Sequence, residues 1–354
     1  MNFRALSIGI SVLLIALGIP LAMFAVAKFQ SAEMLPNKNG PQADDYRITG
    51  PYAHENLTIF LIHGKDTIQG KKFLTLQEAL ERKVVVVHET KDVNELAIEN
   101  VSVDQEVYVQ SGDIVKGGQQ DRVLAVDLIV PPRSGRMPIA AFCVEQGRWR
   151  QRGGEAATTF GSSDEVIATR DLKIAANKTK SQGEVWAKVT EAQAKLSANV
   201  GGTVNSSVSS SSLQLSLENK KVRETTDAYI KKLTGIIDGQ GDVIGYAFAV
   251  NGKVSSADVY GSSALFRKLW PKLLKASAVE AVAELQKDQK FDAVQAETVS
   301  TFFAEADDGR ASEDAVTPRI KRVTRETEKN IVFETRDKNQ NNEAVLHRSY
   351  VRKQ

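Results

Sequence analysis

The stretch VIGYAFAVNGKVSSADVY, residues 243–260, contains the strongest local indication of tertiary structure in the chain. Two runs rich in β-branched and aromatic residues flank Asn251 and Gly252. An Asn-Gly pair accepts the positive φ angles of a two-residue type I′ turn, so it is the strongest short hairpin signal. The stretch therefore predicts two antiparallel strands in the second half of the chain.

The segments on either side of this hairpin have helical spacing. GEVWAKVTEAQAKL (183–196) and KKVRETTDAYIKKLTGII (220–237) precede it, separated by the serine-rich loop 201–216. After the hairpin, apolar residues at i, i+3, i+4, i+7 and i+8 predict a buried helix, which Pro271 should kink or restart. These apolar residues are Phe266, Leu269, Trp270, Leu273 and Leu274.

The first half of the chain is mainly β in character. NLTIFLIHG (56–64) and KVVVVHET (83–90) are apolar strand-like runs, and Thr75 three residues before Glu78 predicts a capping box that opens a short helix between them. Strand patterns continue to residue 149 and return at residues 319–337 and 343–351 as a closing hairpin. We predict an α+β fold: a mainly β first half, helices packed on a sheet in the second half, and a C-terminal β-hairpin, in a single domain over residues 56–354.

Composition narrows the class of protein. The 354 residues are 42% hydrophobic and 25% charged, as in an ordinary globular chain. Because 46 basic residues nearly balance 44 acidic ones, for a formal charge of +2, no overall field attracts nucleic acid, and we expect no such partner. The lone Cys143 cannot form an internal disulfide, so stability must come from the core.

The amino terminus predicts export. Residues 5–27, ALSIGISVLLIALGIPLAMFAVA, contain no charge over 23 residues, enough helix to cross a bilayer. They could form a transmembrane anchor within residues 1–30, a signal peptide cleaved after Ala27, or, as a third reading, a buried soluble helix. The first two place the rest of the chain outside the cytoplasm, with the membrane as a partner through residues 5–27. Residues 31–55, rich in Pro, Asn, Gly and charge, are predicted to be a linker.

Signatures of catalysis or metal binding are missing from the sequence. The chain has no GxGxxG after a strand, no GxxxxGK[ST], no HExxH, no CxxC and no GxSxG. Its four histidines are scattered, and His63 and His347, which adjoin apolar residues, are predicted to be structural. We therefore expect neither a metal site nor a cofactor.

Polar residues instead concentrate in GDIVKGGQQDRVLAVDLIVPP (112–132) and CVEQGRW (143–149). In a functional interpretation, Gly117 and Gly118 let a ligand approach the backbone, while arginine and carboxylate side chains bind it or act on it. In a structural interpretation the glycines form a hairpin turn, Asp121 pairs with an arginine, and Trp149 covers the rim of the core. The candidate site residues are Gly117, Gly118, Gln120, Asp121, Arg122, Glu145 and Arg148.

Strand alternation gives these residues a predicted geometry. Phe142 and Val144 share the expected core face, while Cys143 and Glu145 share the other. We predict that the loop 116–122 lies beside the strand 143–149, with Cys143 buried and Glu145 within reach of Arg122 or Arg148.

Five stretches also carry a family resemblance: residues 107–132, FCVEQGRW (142–149), residues 243–260, LFRKLWPKLL (265–274) and VLHRSYV (345–351). In this order they resemble the ARG and Rhodanese-Phosphatase-superfamily-associated Protein domain. This bacterial family of uncharacterised activity is named for its genomic company with ADP-ribosylglycohydrolase-like and phosphatase-like proteins. The resemblance implies that the recurrent polar positions of the family fall at Gly117, Gly118, Gln120, Asp121, Arg122, Cys143, Glu145, Arg148 and Trp149.

Two classes of function remain open at this point. The first is a binding or interaction module at the cell envelope, with an unidentified protein or small-molecule partner. The second is a hydrolase or binder that acts on a phosphorylated or ADP-ribose-like compound through Asp121, Arg122 and Glu145. Burial of these side chains in a closed ion-pair network would support the first class, and their clustering at a concave surface would support the second.

Overall fold

The chain alternates between β-rich and helical regions, in the order that the sequence predicts. A computed structural model describes residues 45–68, 70–165, 169–340 and 343–353. Over these residues the strands are β1 Arg47–His54, β2 Leu57–His63, β3 Leu74–Thr75, β4 Val85–Asp92, β5 Glu95–Asn100, β6 Val107–Val109, β7 Ile114–Gly117, β8 Arg122–Leu124, β9 Leu128–Val130, β10 Arg136–Cys143, β11 Thr159–Gly161, β12 Val243–Val250, β13 Lys253–Tyr260, β14 Arg310–Ala315, β15 Ile320–Glu326, β16 Asn330–Asp337 and β17 Ala344–Arg352. The α-helices are α1 Leu76–Glu81, α2 Arg170–Ile174, α3 Gln182–Asn199, α4 Leu213–Leu217, α5 Lys220–Leu233, α6 Ser263–Ala283 and α7 Ala296–Asp307.

Three local predictions are confirmed. Asn251 and Gly252 have φ angles of 52° and 72° and join β12 to β13, as a type I′ turn requires. The backbone N–H of Glu78 donates to Thr75 Oγ1, and the Glu78 carboxylate accepts from the Thr75 N–H, which completes the capping box of α1. The apolar stripe from Phe266 to Leu274 is buried in α6.

Of the two outcomes predicted for Pro271, a kink or a restart of the helix, the restart does not occur, because α6 is one continuous helix from Ser263 to Ala283. Proline leaves one backbone carbonyl, a turn earlier, without its N–H donor. Pro271 lies on the exposed side of α6, where water can hydrate that carbonyl. The buried stripe on the other side holds the helix together across this position.

The larger sheet has eight antiparallel strands in the order β1-β2-β12-β13-β17-β16-β15-β14. The predicted C-terminal hairpin is present as β16 and β17, within a meander that also includes β14 and β15. Helix α6 packs against β12 on one face of the sheet, and α7 packs against β1 and β16. The helices of the second half thus lie on a sheet, as predicted.

The first half of the chain closes into a six-stranded barrel with the order β10-β5-β4-β11-β7-β8, beside a small sheet of β3, β6 and β9. Strand β10 changes partner along its length. Its residues 136–140 pair with β5, and its residues 141–143 pair with β8. Buried residues of the barrel and of the α6 face of the larger sheet form one continuous hydrophobic core.

The predicted linker over residues 31–55 is too long at its C-terminal end. Residues 47–54 form strand β1, which pairs with β2 from Arg47 opposite His63 to His54 opposite Leu57. Gly50 and Pro51 suggested a linker, but they lie where the register shifts on an edge strand, which is where proline is tolerated in a sheet.

The predicted membrane or signal segment, residues 5–27, lies outside the described residues. Within the described part of the chain, no helix combines the length and the hydropathy needed to cross a bilayer.

Candidate functional site

The two polar segments singled out in the sequence lie side by side, as predicted. Cys143 on β10 is paired with Arg122 on β8. Beyond these strands the contact continues, because the Val144 N–H donates to the Asp121 carbonyl at 3.0 Å and the Gln120 side chain donates to the Glu145 carbonyl at 2.8 Å. The loop after β7 and the end of β10 therefore form one unit.

Four charged side chains meet within this unit, and we call them the carboxylate cluster: Asp121, Glu145, Arg148 and Arg152. Glu145 Oε2 lies 2.7 Å from Arg148 Nε, which confirms that Arg148 is within reach of Glu145. Both Asp121 oxygens accept from Arg152, at 2.7 and 3.0 Å. Two buried carboxylates thus face two guanidinium groups, and Arg152 also pairs with the more exposed Glu155 at 2.7 Å.

The carboxylate cluster is closed to solvent. Asp121 and Glu145 are 0% exposed, and Arg148 and Arg152 are each 8% exposed. Burial raises the pKa of Asp121, and the negative charge of Glu145 raises it further. The charge and hydrogen bonds of Arg152 oppose this increase only in part. Ser212 is also buried and donates to Asp121 at 3.2 Å, while it caps the N-terminus of α4. Ser212, within the serine-rich loop 201–216, is therefore held on the cluster by a hydrogen bond.

Arg122 belongs to a separate group inside the barrel and does not pair with Glu145. Its Nη2 lies 3.3 Å from Glu89 Oε1, and its Nη1 donates to the Val93 carbonyl and to Cys143 Sγ, both at 2.8 Å. Arg122 is 0% exposed. Burial raises the pKa of the Cys143 thiol to about 11, and the Arg122 charge only partly opposes this increase.

We predict that the Cys143 thiol reacts slowly in the native protein. The side chain is 0% exposed, and a thiol with a raised pKa holds little of the reactive thiolate at neutral pH. A colorimetric thiol reagent at pH 7.5 should label it at least about 100-fold more slowly than in urea-unfolded protein, in line with its burial and protonation. Labelling of native protein at the unfolded rate would contradict a structural role.

Gly117 and Gly118 are needed for close packing within the protein. Their φ angles are +121° and +55°, and both positive values favour glycine. A Cβ on Gly118 would lie 2.4 Å from the Phe160 ring and 2.7 Å from the Glu89 carboxylate. The close approach that we assigned to a ligand is thus made by side chains of β11 and β4.

The structural interpretation is also wrong on one point, because Trp149 is 51% exposed and does not cover the core.

Sequence reasoning missed two partners of these groups, Arg152 and Glu89. Arg152 pairs with Asp121 from the glycine-rich segment after β10, and arginine at every second position, 148, 150 and 152, was its only signal. Glu89 follows the apolar run in the middle of β4, and only closure of the barrel brings it to Arg122.

A second polar group lies on the larger sheet around His347. Arg322, Thr335, His347 and Tyr260 are cross-strand neighbours, so their side chains project from the same face. His347 Nδ1 lies 2.9 Å from Asp127, and its Nε2 lies 3.2 Å from Asp258.

Ionised carboxylates only accept hydrogen bonds, so this arrangement of His347 requires protons on both of its ring nitrogens. Burial alone would lower the pKa of His347, but the charges and hydrogen bonds of Asp127 and Asp258 outweigh it and raise the pKa to about 9. Tyr260 stacks on the imidazole with ring centroids 4.4 Å apart. The sequence-based prediction that His347 is structural did not anticipate this charged group.

Beside this group lies a cavity, which we call the His347 cavity. It is a narrow cavity that opens to solvent. The sheet contributes Asp258, Arg322, Thr335, His347 and Ser349 to its walls. Loops and α2 contribute Ser111, Asp127, Lys173, Asn177 and Val316 among others. Among the described residues, no group of three or more His, Cys, Asp or Glu side chains is arranged to hold a metal ion.

The fold and the buried polar unit define an α+β domain in which a small closed barrel shares its core with a large antiparallel sheet. Residues 45–351 match the family described as the ARG and Rhodanese-Phosphatase-superfamily-associated Protein domain, and the chain belongs to that family. No curated protein and no solved structure matches the chain.

Proposed function

We propose that this chain is a binding module at the cell envelope and that its ligand site is the His347 cavity. One contrast carries the proposal. The carboxylate cluster is closed to solvent, whereas the His347 cavity opens to solvent and is lined by both polar and apolar side chains. A concave site with a few converging polar groups and a perturbed titratable residue is the usual form of a ligand site.

The closed carboxylate cluster favours a binding role over hydrolysis through Asp121, Arg122 and Glu145. A general base or nucleophile must reach the substrate at hydrogen-bond distance. Asp121, Arg122 and Glu145 are all 0% exposed, and each is bonded to other protein groups. These contacts support a role for the cluster in holding the β7–β8 loop against the end of β10.

Ligand binding at the His347 cavity can be tested by thermal shift with a panel of anionic, neutral and cationic metabolites. At a ligand concentration 100 times Kd, binding stabilises the folded state by about 2.7 kcal/mol. Val316 is half-buried at the cavity, so Val316→Trp should fill it and abolish the response. Val208 is 68% exposed and does not line the cavity, so Val208→Trp is the matched control and should respond like wild type. If no ligand stabilises the wild type, or if Val316→Trp keeps the full response, the cavity is not the site.

Export is the second part of the proposal, and it rests on the uncharged residues 5–27. The full chain, expressed in a bacterial host, should be digested when protease is added to intact spheroplasts. At least about nine-tenths of the protein should be lost, because export places the whole domain of each chain outside the cytoplasm. A variant with Leu14→Arg and Ile15→Arg in this run should stay protected, since charges in the span oppose insertion. Protection of the unchanged chain would contradict export. Recovery in the membrane pellet would distinguish an anchor from a cleaved signal.

A further inference from the structure

We propose that the His347 cavity binds the oxyanion group of its ligand, a carboxylate or a phosphate, on the side edge of the Arg322 guanidinium. This inference rests on the proposed function of the cavity and names the chemistry of the ligand. It assigns recognition to Arg322, Lys173 and His347.

The wall of the His347 cavity is highly charged. Three cationic side chains, Lys173, Arg322 and the doubly protonated His347, face two carboxylates, Asp127 and Asp258. Protein groups already occupy both carboxylates. Asp127 accepts from His347, from the Ser111 N–H and from the Thr335 hydroxyl, and Asp258 accepts from His347 and Lys173. A third carboxylate, Asp314, pairs with Arg322 and balances the remaining positive charge, and it alone of the three is largely exposed.

Arg322 itself is only partly hydrogen-bonded. The residue is 7% exposed, and its Nε has no hydrogen-bond partner among the described residues. Its Nη2 donates at 3.0 Å to Asp314, whose side chain is 57% exposed. Nε and Nη2 form one edge of the guanidinium, the fork that binds carboxylate and phosphate with two parallel hydrogen bonds. Half of this fork is thus unpaired but covered from solvent, and the other half is held by a largely exposed carboxylate, whose movement into solvent would uncover the edge.

Arg322 lies next to the other cations of the cavity wall. Arg322 is paired with Thr335 on β16, and Thr335 is paired with His347 on β17, so the three side chains form one row across the sheet. Lys173 reaches the cavity from α2, and its ammonium lies 3.3 Å from the Asp258 carboxylate. An oxyanion bound at Arg322 would be flanked by these charges, where low solvent access strengthens the attraction.

The chain offers a matched control for Arg322. Arg325 lies on the same strand, is 6% exposed and also has an Nε without a hydrogen-bond partner among the described residues. Side chains alternate between the two faces of a strand, and Arg325 is three residues from Arg322, so it projects from the opposite face. It does not line the cavity. Arg325→Met and Arg322→Met thus remove the same group from opposite sides of β15.

The test is titration calorimetry with inorganic phosphate and with acetate at constant ionic strength, set by chloride. We expect at least one of the two probes to bind the wild type, and the comparison of the two identifies phosphate or carboxylate as the group. Arg322→Met should weaken that binding at least 10-fold, Arg322→Lys should weaken it less, and Arg325→Met should leave it within about 2-fold, because only the Arg322 fork contacts the ligand. Thermal unfolding of each variant verifies that it is folded. If Arg322→Met does not fold, Arg322→Lys takes its place in the comparison with the wild type.

Two results would overturn the inference. One is that neither probe binds the wild type, and the other is that Arg322→Met and Arg322→Lys bind as tightly as the wild type. If a neutral or cationic compound still protects the wild type but not Val316→Trp, the binding function stands and only the assignment to oxyanions fails. If no compound of any charge binds, the proposed function itself fails.

Discussion

Replacement of Arg122 by alanine is expected to lower the free energy of unfolding by about 3–5 kcal/mol, the usual cost of breaking a buried ion pair. Arg122 is 0% exposed, and the side chain of its partner Glu89 is 4% exposed. The substitution would leave the Glu89 carboxylate, the Val93 carbonyl and Cys143 Sγ without this donor, inside the barrel. Urea denaturation at pH 7, followed by circular dichroism, measures the change.

The control for this experiment is Arg136→Ala on β10. The Arg136 side chain is 67% exposed and lies 3.9 Å from Glu99, so its loss should cost less than about 1 kcal/mol. If Arg122→Ala costs as little as Arg136→Ala, Arg122 does not stabilise the barrel. The buried charge of Arg122 would then need an explanation other than stability of the barrel.

A rise in pH from 6 to 9.5 is expected to remove about 3 kcal/mol of stability through His347 alone. The pKa of His347 is raised in the folded state from 6.5 to about 9, so the folded protein holds the proton more tightly than the unfolded chain. This contribution is fully present below pH 6.5 and is lost as the pH rises through 9. At about 1.4 kcal/mol per pKa unit, the shift corresponds to a contribution of this size.

The measurement is urea denaturation of the wild type and of His347→Gln at several pH values. Cys143 also contributes to a loss of stability at high pH, because its pKa is about 11 when folded, but this contribution is the same in both proteins and cancels in the difference. The difference in stability should shrink by about 3 kcal/mol between pH 6 and 9.5. An NMR titration of the His347 ring gives the pKa directly, and a value below 7 would refute the assignment.

Sequence alone predicts those parts of the fold that depend on neighbouring residues. Asn251 and Gly252 determine their turn by backbone conformation, and Thr75 and Glu78 cap a helix only three residues apart. The α6 stripe is likewise a local pattern of period 3.6. The contact of the 116–122 loop with the end of β10 was also predictable, because the two are linked by a short stretch of strands.

Barrel closure and the partners of the charged groups could not be predicted. Strand β11 is only three residues long, too short for an alternation pattern, yet it joins β4 to β7 and completes the barrel. The two carboxylates that contact His347 belong to Asp127 and Asp258, which lie 220 and 89 residues away in sequence. Their contacts with His347 follow from the order of strands, which no local pattern encodes.

The position of β2 next to β12 has a consequence for how the chain is made. The side chains of Asn56, just before β2, and Asn251, just after β12, are in contact although 195 residues separate them. At the usual 5–20 residues per second, a ribosome takes roughly 10–40 s to cover that interval. For that time the newly made β1–β2 hairpin has no neighbour for its apolar strand Leu57–His63, an unpaired edge of the kind that aggregates. We expect this segment to remain open to contact with other chains until the second half of the sheet has emerged.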